Sequence, residues 1–262
     1  METTKKLAEA INRLVRPATF PLAVKITETE ELPAKSRLPR KHFGTRLSLC
    51  QGLSIARRFG FTVGFRPDDH ECPIALLIFG LKKESRLLEE EAAMAYPLYA
   101  ATPEIGKTLN RSGLAVRLDH QPQRKILVCP LDSIPELPDL VLVYGNPAQV
   151  NRLVLAATYM TGEEVAASFL GRASCGQSII KSIQSGKYQV VIPGVGERAL
   201  ALSSDEELIF AIPRNRFAEM LEGLEGSQKA GGFRFPTIYP ALFRQPPFHP
   251  SYEEVFKEMG LR

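Results

Sequence analysis

The 262-residue chain lacks most of the marks by which a sequence announces its chemistry. No apolar run approaches the roughly 20 residues that a membrane-spanning helix needs; the longest, Ile74 to Phe79 and Leu137 to Tyr144, are short. Met1 to Arg16 is amphipathic and mixed in charge, without the continuous apolar core of a signal peptide, so a cytoplasmic protein is expected. There is no G-x-x-x-x-G-K-[ST] and no strand-G-x-G-x-x-G-helix, which removes the usual phosphate and dinucleotide cradles. No Ser, His and Asp set assembles into a triad. Net charge is only +4, and the short basic clusters Lys35 to Lys41 and Arg57-Arg58 lack interleaved stacking aromatics. They are expected to be solvated surface, and nucleic acid is not expected as a partner. Cys50, Cys72, Cys129 and Cys175 form no C-x-x-C pair and are spread too widely for one loop to hold. In an unexported chain they are expected as thiols or ligands rather than disulfides.

What is present is an ordinary globular composition, 44% hydrophobic and 24% charged, on a chain long enough to bury a core without staples. Leu7, Ala10, Ile11 and Leu14 recur at helical spacing until Pro17 stops the run. Leu22 to Ile26, Ile74 to Phe79, Lys125 to Cys129, Leu140 to Tyr144 and Leu208 to Ile212 read as strands, and Leu114 to Leu118 forms an expected hairpin with Lys125 to Cys129. A second hairpin is expected where Tyr188 to Ile192 and Arg198 to Leu202 flank Pro193-Gly194-Val195-Gly196-Glu197. Helices are expected over Glu84 to Tyr96, from Asn146-Pro147 through Tyr159, over Glu163 to Leu170, from a cap at Asn215 to about Gly223, and over Tyr252 to Met259. This mixture predicts one α+β domain over residues 1–262, with a mixed, largely antiparallel sheet packed against helices.

Two segments repeat one device. Ser48 to Val63 and Ser174 to Val191 each start on an S-x-x-Q capping box, Ser48 with Gln51 and Ser174 with Gln177, carry a cysteine in the first helical turn, and end in glycine and a strand. Gly60 to Cys72 and Gly186 to Arg198 have the same spacing, so an internal duplication is one reading, with halves at 18–81 and 138–213 and residues 226–262 as a wrapping C-terminal tail. Chance recurrence of helix, glycine and strand is the other.

Cys50 and Cys175 would meet outward-pointing helix N–H groups, which favour thiolate. Cys72 precedes Pro73, which biases it towards an extended conformation and places its thiol at the mouth of the expected strand Ile74 to Phe79. Three such thiols suit an iron–sulfur cluster or a zinc ion with one open position, whereas Cys129 ends an apolar strand and reads as buried and inert. Buried cysteines without a metal are the competing reading for all of them. His70, in an acidic turn, is expected to be solvated, as is the acidic run Glu89 to Glu91. Gly194 and Gly196 beside Arg198, and Gly231 and Gly232 beside Arg234, could let backbone N–H groups and a guanidinium hold a small anion.

The Leu49-Cys50-Gln51 start, Cys72-Pro73, Phe79-Gly80, Ser174-Cys175, Pro193 to Arg198, Glu207 to Pro213 and Gly231 to Pro236 together resemble a prokaryotic family labelled domain of unknown function one hundred and sixty-nine, along nearly the whole chain. The resemblance implies no reaction or substrate. It implies that Cys50, Cys72 and Cys175 belong to the family pattern more than Cys129 does, and that an anaerobic setting would suit an oxygen-sensitive cluster. Three functions stay open: a metal or iron–sulfur protein using Cys50, Cys72 and Cys175 beside an anion pocket; a metal-free binding module for a small anion; and an enzyme with a cysteine nucleophile.

Overall fold

The computed structural model describes residues 2–231 and 249–261. Its elements run α1 (Glu2–Leu14), β1 (Leu22–Thr27), α2 (Leu49–Phe59), β2 (Val63–Phe65), α3 (Pro73–Ile78), α4 (Arg86–Glu89), α5 (Pro103–Leu114), β3 (Lys125–Pro130), β4 (Leu140–Gly145), α6 (Pro147–Thr161), α7 (Lys181–Ser185), β5 (Gln189–Val191), α8 (Val195–Ala201), β6 (Leu208–Pro213), α9 (Phe217–Lys229) and α10 (Tyr252–Glu258). Six strands form one sheet in the order β2-β3-β1-β4-β6-β5, each pair antiparallel. The fold is α+β.

Alternation along the strands buries both faces of this sheet. Leu22, Val24, Val128, Leu142 and Ala211 meet α2, α3 and the helix that ends in α7, while Ala23, Leu127, Cys129, Val141 and Phe210 meet α1, α6 and α9. Cys129 is therefore fully buried on the opposite face from Cys50 and Cys175.

The sheet order reads the same from its centre outward in both directions. From the central β1–β4 pair, β1 is followed by β3 and then β2, and β4 by β6 and then β5. The registers agree as well: Leu22 opens β1 opposite Pro130 at the end of β3, and Leu140 opens β4 opposite Pro213 at the end of β6. Val63 pairs with Val128 and Gln189 with Ala211, each two residues before that proline. Each outer strand is preceded by a cysteine-bearing helix that ends on a glycine in the left-handed conformation, Gly60 (φ 72°) and Gly186 (φ 63°). The first of these matching halves includes β3, beyond residue 81.

The helix starts differ. At Ser48 the capping box is complete: its hydroxyl accepts from Gln51 N–H and the Gln51 side chain accepts from Ser48 N–H. At Ser174 the expected box is absent, because Gly176–Ile180 form a π turn, which holds one more residue than an α turn. Counted back from the capping glycine, Cys175 is one residue farther than Cys50, and the π turn takes up that residue. Ser174 is thereby drawn into the helix, and its hydroxyl turns to Glu197.

Several other expectations are corrected. Ile74 to Phe79 is not a strand: with Cys72 as an extended N-cap and Pro73 at the first position, the apolar run winds into α3. Leu114 ends α5, so the hairpin with β3 does not form. Nor is the second hairpin there, because Gly194 caps α8 and Arg198 lies within that helix. Only one turn, α4, forms within Glu84 to Tyr96, and Glu163 to Leu170 is irregular, with Ala167 bridging to Val190. Asn215 is not the cap of α9 but donates its amide to the Gly186 carbonyl, and α9 continues past Gly223 to Lys229. His70 and Arg57 are buried rather than solvated.

A thiol-lined cavity at the seam of the two halves

The second helix of each half crosses to the other half. α8 packs on α2, tied by Ser54 Oγ to Ala201 O at 2.9 Å and Arg58 Nη2 to Leu202 O at 2.9 Å. α3 packs on the π turn, where a Cβ at Gly176 would come within 2.9 Å of Ile78 Cδ1. This exchange leaves a cavity of about 290 Å³ between the halves. Cys50 from α2, Cys72 from the cap of α3 and Cys175 from the π-turned helix all line it, so residues 125 positions apart share one wall. Ile74, Ala173 and Gly196 also line it, and the exposed Met94, Tyr99, Val195, Ala199 and Leu200 stand at its rim.

Three polar groups missed by the sequence reading also border the cavity: Arg172, Ser174 and Glu197. Glu197 is 2% exposed. Tyr144 Oη donates to its Oε1 at 2.6 Å and Ser174 Oγ donates to its Oε2. Burial pushes this carboxyl above the ordinary range, opposed by the two hydroxyls and by Arg57. Arg57, fully buried, lies 4.2 Å over the Tyr144 ring but spends its fork on Glu207, at 2.5 and 2.8 Å. Burial alone would raise Glu207; Arg57 holds it below the usual range instead. The pair spans the seam, joining α2 to the loop before β6.

Arg172 is 8% exposed, its guanidinium carbon 5.1 Å from the Tyr99 ring centroid, and its Nη1 has no hydrogen-bond partner among the described residues. Burial works against its charge, yet a guanidinium does not lose its proton in a protein, so the cation persists. The loop carrying it is held by Val195 N–H donating to Gly171 O at 3.0 Å. Gly194 permits this approach, because a Cβ there would stand 2.9 Å from Arg172 Cα. Of the five non-glycine residues that adopt the left-handed conformation among the described residues, two, Met94 (φ 62°) and Ala173 (φ 55°), line the cavity.

The expected activation of the thiols is corrected. Burial pushes Cys50 and Cys175 well above the ordinary thiol range, with Glu197 and the neighbouring thiols adding to the rise. Desolvation exceeds the stabilisation offered by helix N–H groups, so both rest as neutral thiols at pH 7. Cys129, away from the cavity, is pushed up to about 12 by burial. Among the described residues no three His, Cys, Asp or Glu side chains are grouped to hold a metal ion.

Arg198 does not line the cavity; its Nη1 donates to Ser204 O at 3.0 Å and to Asp205 Oδ1 at 3.3 Å. Gly194 supports Arg172 from behind, and Gly196 lines the cavity with open space at its missing Cβ. Gly231 follows α9, on the other side of the sheet. Gly232 and Arg234 lie outside the described residues.

Among the described residues no helix is long and apolar enough to cross a membrane. No curated protein and no solved structure matches the chain. A family model does: over residues 10–223, taking in both halves and every wall of the cavity, the chain belongs to the family described as uncharacterised ArCR, domain of unknown function 169.

Proposed function

We propose that the protein binds a small organic anion, with an apolar body, in the thiol-lined cavity, and that Arg172 is its counter-ion. The observation that carries this reading is a buried guanidinium on the border of a cavity whose other walls are largely apolar, with one nitrogen, Nη1, lacking a hydrogen-bond partner among the described residues. A buried guanidinium N–H group without a partner is costly, and a carboxylate relieves that cost with directional, charge-assisted hydrogen bonds. The mixture of apolar lining and a few polar groups is that of a small-molecule site. The thiols give the guest a soft, polarisable wall. A single metal ion on Cys50, Cys72 and Cys175 would require those three sulfurs to close around one point, and the metal-free reading needs no such rearrangement.

The test is thermal stabilisation by acetate, benzoate and naphthoate, with the matching amides as neutral controls. A carboxylate at a hundredfold excess over its Kd should raise Tm by roughly 5 °C or more. Arg172→Met should abolish the shift, and Arg172→Lys should retain part of it. No shift with any of the three acids, or equal shifts with acids and amides, overturns the reading. Iron, zinc and sulfide analysis of anaerobically purified protein supplies the other arm. Stoichiometric metal that disappears when all three cysteines are changed to serine would replace the metal-free site with a metal centre.

A further inference from the structure

Glu197 faces the same cavity as Arg172, yet among the described residues it forms no ion pair. Among the described residues both of its oxygens meet hydroxyl donors, and Arg57, whose charge favours its ionised form, is committed to Glu207. An ionised carboxylate so placed would oppose any anion that enters. A cavity of about 290 Å³ is about 8 Å across, and two like charges at that separation, in an effective dielectric of about 20, disfavour one another about thirtyfold.

Resting on the anion-site reading above, we infer that the cavity takes its guest together with one proton held on Glu197, so that the ligand class is a monoacid bound as carboxylate at Arg172 opposite a neutral Glu197. The proton comes from solvent, no covalent bond changes, and the net charge of the occupied cavity is that of the empty one. Burial already favours the neutral carboxyl, so little further bias is needed. The groups facing Glu197 are Arg57 and Cys50 from α2, Tyr144 from β4, Ser174 and Cys175 from the π-turned helix, Glu207 before β6, and Cys72 and Arg172 across the cavity. Cys50 and Cys175 stay neutral through the neutral pH range, and Glu207 stays paired, which leaves Glu197 as the group able to take up the proton.

Benzoate is the probe, its affinity measured by calorimetry from pH 5.5 to 8.5 in buffers of different ionisation enthalpy. Where Glu197 is already neutral, affinity is highest and flat. As pH rises through its titration, affinity should fall by up to tenfold per pH unit and about thirtyfold in all, with up to one proton taken up per benzoate bound. Glu197→Gln should bind with no pH dependence and no proton uptake, while Cys129→Ala, on the other face of the sheet and away from the cavity, keeps the wild-type profile. Tyr144→Phe removes a donor that favours the charged form, so it should move the profile to higher pH. Arg172-dependent binding with a flat profile and no proton uptake overturns this inference and leaves the anion site standing. An unchanged profile in Glu197→Gln, or a profile lost in Cys129→Ala, overturns it equally. Absence of benzoate binding altogether removes the parent reading and this one with it.

Discussion

The two halves share a sheet order, a strand register and a glycine-capped cysteine helix, but they fill the equivalent positions with opposite chemistry. Three residues before the capping glycine, the first half carries Arg57 and the second Ile183. Arg57 is fully buried and reaches across the seam to Glu207; Ile183 is partly buried against the apolar core. Helix entry differs too: α3 is started by Cys72 and Pro73, α8 by Gly194. The strand order and register thus match on either side of the central β1–β4 pair, while the buried arginine of the cysteine helix stands on one side alone.

The sharpest way to break this comparison is to remove its charge asymmetry. Arg57→Met should cost about 3–5 kcal/mol in denaturant unfolding, because it strands a largely buried Glu207 without its partner and takes the guanidinium from over the Tyr144 ring. Ile183→Met conserves volume and should cost less than about 1.5 kcal/mol. Equal losses would show that the seam ion pair has no special weight. Restoring neutrality with Arg57→Met and Glu207→Gln together should recover part of the loss.

A second test uses His70, which stacks on Phe65 at 4.6 Å with neither ring nitrogen hydrogen-bonded among the described residues. Burial lowers its pKa from 6.5 to about 4. Below pH 6.5 the unfolded chain binds a proton that the folded one refuses, so stability falls as pH drops and levels off near pH 4, by about 3 kcal/mol in all. His70→Phe should flatten the stability profile over that window relative to wild type; a slope unchanged by the substitution assigns the loss to other groups. The second half places Gly196 at the corresponding distance from its capping glycine, so nothing there should echo the effect.

The smallest effect separates two glycines of one turn. Gly194→Ala drives a Cβ to within 3.0 Å of the Gly171 and Arg172 backbone and should cost about 1–3 kcal/mol while weakening carboxylate binding. Gly196→Ala meets open space within a helix and should be neutral or stabilising by up to about 1 kcal/mol. Denaturation midpoints and benzoate affinity of the two variants decide it.

Much of the scaffold was legible in the residues. β1, β3, β4 and β6 are apolar runs bounded by turn residues, and the boxes at Ser48 and Asn146 are closed by glutamine three positions on. α3 was misread because six consecutive apolar residues carry no period, and only Pro73 at their start argues for a helix. Gly-Val-Gly at 194–196 has turn composition, and its helix is fixed by packing of the Gly171 to Ala173 loop, which local sequence does not reveal. The cysteine trio was found because the repeat marks two of its members. Arg172 and Glu197 were missed because what distinguishes them is distant: Tyr99 for the one, Tyr144 and Ser174 for the other. The thiolate expectation failed on magnitude, since desolvation of a buried sulfur outweighs a helix terminus.

The palindromic sheet order also determines what lies at its two borders. β2 and β5 are three residues each, half the length of the strands inside them, and each is partly covered, by an Arg37 bridge at Val63 and an Ala167 bridge at Val190. So little free main chain is left along either margin that strand-to-strand addition has almost no template, and the molecule is protected against fusing its sheet with that of a neighbour.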